Sequence, residues 1–137
     1  MADFSDIRRA LERQLAGISG IPQIAYENTV YNPEAQTSYV RCMLEVTTQR
    51  PAAVGVGVET RHSGLFLVDC FVRADDTQGG PLAADVLAEK VMDGFTYGQV
   101  LTENSKRIVI RFSERRGGRN DPPWYFVPVT IEWYCYF

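Results

Sequence analysis

Residues 124–137 read WYFVPVTIEWYCYF, and the reading of this stretch decides the fold. At a period of two, Tyr125, Val127, Val129, Ile131, Trp133, Cys135 and Phe137 share one face, the pattern of a long β-strand turned toward a core. The other face carries Trp124, Phe126, Pro128, Thr130, Glu132, Tyr134 and Tyr136. It is half aromatic and half polar, which is unusual for a face that meets only water. Pro128 has no backbone donor, so an edge position or a bulge is expected near the middle of the strand. Trp124, Phe126, Tyr134 and Tyr136 are candidates for contact with a second subunit; the alternative is that helices of the same chain cover them.

The elements that must pack on this strand lie upstream. Residues 4–18 predict an amphipathic helix, with Phe4, Ile7, Leu11, Leu15 and Ile18 on one stripe and Arg8, Arg9, Glu12 and Arg13 outside. An Asn-Pro step at residues 32–33 predicts a turn. In TSYVRCMLEVT, Val40, Cys42, Leu44 and Val46 alternate with Tyr39, Arg41, Met43 and Glu45, as in a strand. A loop is expected from QRPAAVGVG, then a strand over 56–61, a tight turn at 62–64 and a longer strand over 65–73. Residues 81–94 predict a second helix, with Pro81 at its start and Gly94 at its end, and with Ala83, Leu87, Val91 and Phe95 buried. KRIVIRFSE predicts a strand with Ile108, Ile110 and Phe112 inward and Arg107 and Arg111 outward. RRGGRNDPP reads as an open loop before the last strand. Strands joined mainly by short connections predict an α+β fold, a mixed and mainly antiparallel sheet of five to six strands with two helices on one face, in a single domain over 1–137.

Composition narrows the function. The 137 residues are 45% hydrophobic and 23% charged, with a net charge of −3, so there is no overall electrostatic reason to bind nucleic acid. No stretch is long and apolar enough to predict a membrane span or a signal peptide, so folding in the cytosol of the producing cell is expected. Cys42, Cys70 and Cys135 are widely spaced among apolar strand neighbours and read as small buried hydrophobes. With His62 the one histidine, no zinc set and no Ser-His-Asp triad suggests itself, and a solvated turn residue is expected there. None of the glycine clusters forms a phosphate loop. No catalytic residue, metal or cofactor is predicted.

Two features remain as candidate contacts. Asp69 interrupts LFLVDCFV, and the economical partner is an arginine on a neighbouring strand: Arg41, Arg107 or Arg111. Arg115, Arg116 and Arg119, around two glycines, form a positive cluster on an acidic chain and read either as a solvated loop or as a contact arm that orders on an acidic protein surface or a phosphate backbone. The arm holds no aromatic, so base stacking is not suggested.

The stretches IRRALERQLAGISGIPQIAYENTVYNP, SYVRCML, GLFLVDCFV, VMDGFTYGQVL and WYFVPVTIEWYCYF, in this order and spacing, resemble the tail terminator proteins of long-tailed bacteriophages. The resemblance spans almost the whole chain. It implies an α+β subunit that forms a ring, typically a hexamer, on the end of the finished tail tube. The ring stops addition of tube subunits and offers a surface for joining the head. The implied partners are further copies of the chain, the major tail tube protein and a head-completion or neck protein, with no membrane and no sequence-specific nucleic acid. The implied location is the host cytoplasm during assembly and then the virion tail. Such proteins are not enzymes, so no catalytic residues carry over. Two other classes stay open at this point: another neck or minor tail protein of similar fold, and a small-molecule-binding domain or enzyme of unknown type.

Overall fold

The structure, a computed structural model, describes residues 3–32, 38–73 and 80–137. The turn expected at residues 32–33 and nearly all of the 74–80 loop lie outside the described residues. The elements run α1 (Asp3–Ala16), β1 (Gln23–Ala25), β2 (Ser38–Pro51), β3 (Thr60–Arg73), α2 (Gly80–Gly94), β4 (Val100–Glu103), β5 (Lys106–Arg115), β6 (Arg119–Asp121) and β7 (Trp124–Tyr136). The strands form one seven-stranded sheet in the order β1-β2-β3-β7-β5-β4, with β6 pairing β7 beside β5. Among the described residues, only β1 and β2 run parallel. Both helices pack on one face, so the α+β fold with a mixed, mainly antiparallel sheet holds, with more strands than the five to six expected.

The last strand lies at the centre of the sheet, between β3 and β5. Val127, Val129, Ile131, Trp133 and Cys135 are fully buried under the helices, as their alternation requires. They meet Phe66, Val68 and Cys70 of β3, Ile7, Leu11 and Leu15 of α1, and Leu87, Ala88, Val91 and Phe95 from α2 and the turn after it. All three cysteines are buried thiols, and burial pushes Cys42 and Cys70 up to about 12.

Four local expectations are corrected. Residues 60–73 form one strand, so there is no turn at 62–64; the hairpin turns instead over 52–59. Gly64 reads as a turn glycine from sequence, but its role is close approach. A Cβ there would lie 2.0 Å from the Glu45 carbonyl oxygen and 3.0 Å from the Trp133 ring. It faces the bulge that displaces Thr47 between Val46 and Thr48. His62 consequently points into the core rather than solvent: it is 6% exposed and stacks on Phe137 at 3.8 Å, with Phe4 edge-on. A short strand, β4, was not anticipated; it turns back into β5 through Asn104 and Ser105, both at positive φ. Phe112 was expected inward, but it lies on the outer face and is 50% exposed. The cause is a second bulge, at Arg111, between the pairs Ile110–Trp133 and Phe112–Glu132. One extra residue reverses the alternation beyond it.

Candidate functional site

The face of the sheet opposite the helices is built as rows of directly facing side chains, because antiparallel partners share a face. Tyr39, Phe71, Phe126 and Arg119 make one row across β2, β3, β7 and β6. The three rings stack, with centroids 4.5 Å apart for Tyr39–Phe71 and 4.7 Å for Phe71–Phe126. Trp124 stands edge-on to Tyr39 at 5.0 Å and lies under the Arg73 guanidinium at 4.4 Å. Together with Ala25, these rings form a second, smaller apolar cluster on the far side of the sheet from the helices.

The next row is Arg41, Asp69 and Pro128, with Arg116 closing it. Arg41 donates to the Asp69 carboxylate at 2.9 Å, one of the three arginine partners expected for Asp69. Arg116 carries a guanidinium 2.9 Å from Glu114. Below this row lie Met43, Leu67 and Thr130, so the arginines frame an apolar floor. A groove of about 400 Å³ results, with Arg41, Arg116 and Arg119 at its rim, Asp69 within it, and Met43, Leu67, Phe126 and Pro128 beneath. Three positive groups around a half-exposed apolar floor can hold a carboxylate-bearing protein surface by charge-assisted hydrogen bonds.

Further along, Leu65, Glu132 and Phe112 share a row, followed by Tyr134 and Val109. Arg111, displaced at its bulge, sits 3.7 Å from Glu132 with both side chains about half exposed. Arg61 lies over the Tyr134 ring at 4.7 Å, and Tyr134 meets Tyr136 edge-on.

The site residues read from sequence therefore divide. The aromatics of the last strand do lie on the face away from the core, and among the described residues no helix covers them. Trp124 is nonetheless 8% exposed, buried by Tyr39, Phe71 and Arg73 of its own chain, whereas Tyr136 is 44% exposed. Phe126 and Tyr134 are intermediate. The arginine cluster is not an open arm. Arg115 ends β5 on the helix side and pairs with Asp85 of α2 at 2.8 Å. Residues 119–121 fold back as β6 onto residues 124–126. Gly118 lies so close to the Tyr125 hydroxyl that a Cβ there would be 1.8 Å away. Arg116 and Arg119 thus join Asp69 and Phe126, while Arg115 faces the other way. Tyr39, Phe71 and Phe112 belong to the same face and were not singled out. The alternation of TSYVRCMLE places Tyr39 there, but the bulge that exposes Phe112 leaves no mark in residue type.

A solved structure 18% identical in sequence superposes with a TM-score of 0.74, covering 98% of this chain and 95% of its own, which shows a shared fold. No curated protein matches the chain by sequence. Among the described residues, no helix is long and apolar enough to cross a membrane. The family of phage tail terminator proteins, structural components of the virion tail, matches residues 6–133, nearly the whole length, and the chain belongs to it.

Proposed function

We propose that this protein forms a ring, a hexamer by analogy with its family, on the end of the finished tail tube, where it stops further addition of tube subunits and presents the surface to which the head is joined. The observation that carries this reading is the helix-free sheet face. It presents a groove framed by Arg41, Arg116 and Arg119 over Met43, Leu67 and Phe126, alongside exposed Phe112 and Tyr136. Exposed apolar and aromatic side chains interleaved with arginines are the composition of a protein–protein contact. Such a subunit needs two different patches for its ring neighbours and further surfaces for the tube below and the head above. In this reading its partners are its own copies, the tube protein and a neck protein, and it does no chemistry.

The reading is tested in a phage lacking the gene. Tails of variable, excessive length without heads, returned to one length with heads attached when the wild-type gene is supplied, are expected in electron micrographs. Tails of normal length in the deletion would rule the role out.

A further inference from the structure

The β2–β3 hairpin ends in the loop 52–59, whose sequence AAVGVGVE is apolar except for its last residue. The loop is closed by the Ala52 amide donating to the Glu59 carbonyl at 2.9 Å. At this end of the sheet Thr60, the first residue of β3, exchanges backbone bonds with Phe137, just past β7, at 2.9 and 3.0 Å. The loop therefore stands beyond the end of the sheet. Val54 and Val56 on it are fully exposed, at 103% and 106%. Gly55 and Gly57, both at positive φ, flank Val56 and set the bend that presents it. Two valines at the tip of a projecting hairpin contribute nothing to this chain's own core.

A socket of matching character opens on the helix-free face beside the base of the hairpin, where Glu59 borders Val109 and Tyr134 of the same chain. Between β5, β7 and the 96–99 turn there is a groove of about 350 Å³ lined by Tyr97, Val109, Phe112 and Tyr134, with Arg111 and Glu132 on its rim. Gly98 and Gln99 hold the turn on Ile110 through two backbone bonds of 2.8 Å, so one wall is fixed. The bulge at Arg111 turns Phe112 outward into the other wall. Tyr97 is 88% exposed and Phe112 50%, so among the described residues these two rings are left largely open, while Tyr134 is held by Arg61 and Tyr136. The charges are complementary: the base of the hairpin carries Arg50 and Glu59, and the groove rim carries Glu132 and Arg111.

We propose that the 52–59 loop of one copy seats Val54 and Val56 in the Tyr97–Phe112–Tyr134 groove of the next copy, forming the head-to-tail contact of the ring; this rests on the ring reading above. The knob projects along the strands at one end of the sheet, and the socket opens on the helix-free face. Made in one direction around the assembly, the contact is heterologous and generates a ring when its rotation closes; made reciprocally by two copies it stops at a dimer, which the cross-linking below tells apart. Glu59 of one copy then meets Arg111 of the next, and Arg50 meets Glu132.

The test is cross-linking of the assembled full-length protein with a short bismaleimide. The native cysteines are buried, so introduced cysteines react selectively. V56C combined with Y97C is expected to give a ladder of covalent oligomers up to the ring, while an equimolar mixture of V56C and Y97C proteins gives covalent dimers containing one of each. V54S/V56S, an exposed change that spares the core, is expected to weaken self-association at least tenfold with an unchanged circular dichroism spectrum. A wild-type ring that V54S/V56S leaves intact, with no V56C–Y97C ladder, overturns this contact and leaves the ring reading standing. Wild-type protein that never assembles, alone or on tube ends, overturns the ring reading and this inference with it.

Discussion

Arg116 donates its backbone N–H to the Pro128 carbonyl at 2.8 Å, and Pro128 has no N–H to return. Facing residues of an antiparallel ladder at such a position exchange two bonds. Here one is made, and β5 leaves β7 at that point. The proline expected to mark an edge therefore lies in the central strand, where the ladder on one flank is interrupted between β5 and β6. That interruption lets residues 116–118 swing out and return as β6. It thereby brings Arg116 and Arg119 onto the same groove as Asp69.

Pro128→Val restores the missing donor. The new bond contributes about 0.5–1.5 kcal/mol, offset by about 0.4–1 kcal/mol from the loosened unfolded chain. Net stability is expected to change by less than about 1 kcal/mol. The direct measurement is hydrogen exchange: the new amide at position 128 is expected to be protected as strongly as its β7 neighbours. Fast exchange there would mean that something other than the proline ends β5.

Gly64 is a second point where backbone geometry decides. A Cβ at this position meets the Glu45 carbonyl oxygen at 2.0 Å, and a backbone atom between paired strands cannot rotate away as a flexible side chain would. Gly64→Ala is expected to destabilise the protein by about 1–3 kcal/mol, the range for overpacking, read from the urea midpoint. Gly117→Ala serves as the control, because nothing lies within 4 Å of its Cβ position and its φ is not positive. Equal stabilities for the two variants would contradict the close-approach account.

These two residues also mark where sequence reading stops. The period-two pattern of residues 124–137 correctly assigned the core face, and the 3.6-residue stripe of α1 did the same for Ile7, Leu11 and Leu15. Asp69 was legible as one half of an ion pair, because a carboxylate amid Leu, Val and Phe needs a partner. Phe112 and His62 were not legible. A bulge adds one residue to a ladder and reverses every side chain beyond it, and both bulges sit in stretches of ordinary strand composition. His62 looked like a turn residue because Ser63 and Gly64 follow it, yet that glycine is there for the Glu45 carbonyl. Which arginines meet depends on β6, a three-residue strand too short to carry a periodic signal.

Acid sensitivity follows from two carboxylates that anchor α1. Asp6 is 2% exposed and accepts bonds from Asn104 at 2.9 Å and Lys106 at 3.1 Å, with Arg9 also at 3.1 Å. The Asn104 bond, aided by Lys106 and Arg9 and opposed by burial, lowers its pKa. Glu27 is lowered by the Arg8 guanidinium at 2.6 Å and by the Leu44 amide at 2.9 Å. A depressed folded value means stability that is present above the unfolded pKa of about 4 and lost as pH falls through the lowered values. The urea midpoint is expected to fall steeply below about pH 4. Glu12, which burial pushes up, acts in the opposite sense, so the comparison that isolates the effect is with D6N/E27Q. That variant is expected to be less stable at neutral pH and to show a shallower acid limb. An acid limb as steep as that of the wild type would remove these two carboxylates from the explanation.

The arginines offer the sharpest functional prediction, because the structure splits a cluster that is continuous in sequence. Arg116 and Arg119 rim the groove on the helix-free face, whereas Arg115 is spent on Asp85 on the opposite side. All three are substantially solvated, and exposed pairs of this kind contribute about 0–1 kcal/mol. R116A/R119A and R115A are therefore both expected to melt within a few degrees of the wild type, by circular dichroism. Their effects on assembly should differ. If the groove meets an acidic protein surface, R116A/R119A removes two charge-assisted contacts from its rim, and a truncation of this kind costs binding when the partner charge is left unpaired. In complementation of a terminator-deficient phage, R116A/R119A is expected to lower the yield of particles with correctly ended tails by tenfold or more, with R115A near the wild-type yield. The reverse charge change, R116E/R119E, should be more severe than alanine and equally well folded, since repulsion replaces a lost attraction. Wild-type yield from R116E/R119E would show that the groove meets nothing during tail assembly and would move the search for the contact to the Tyr97–Phe112 side of the same face.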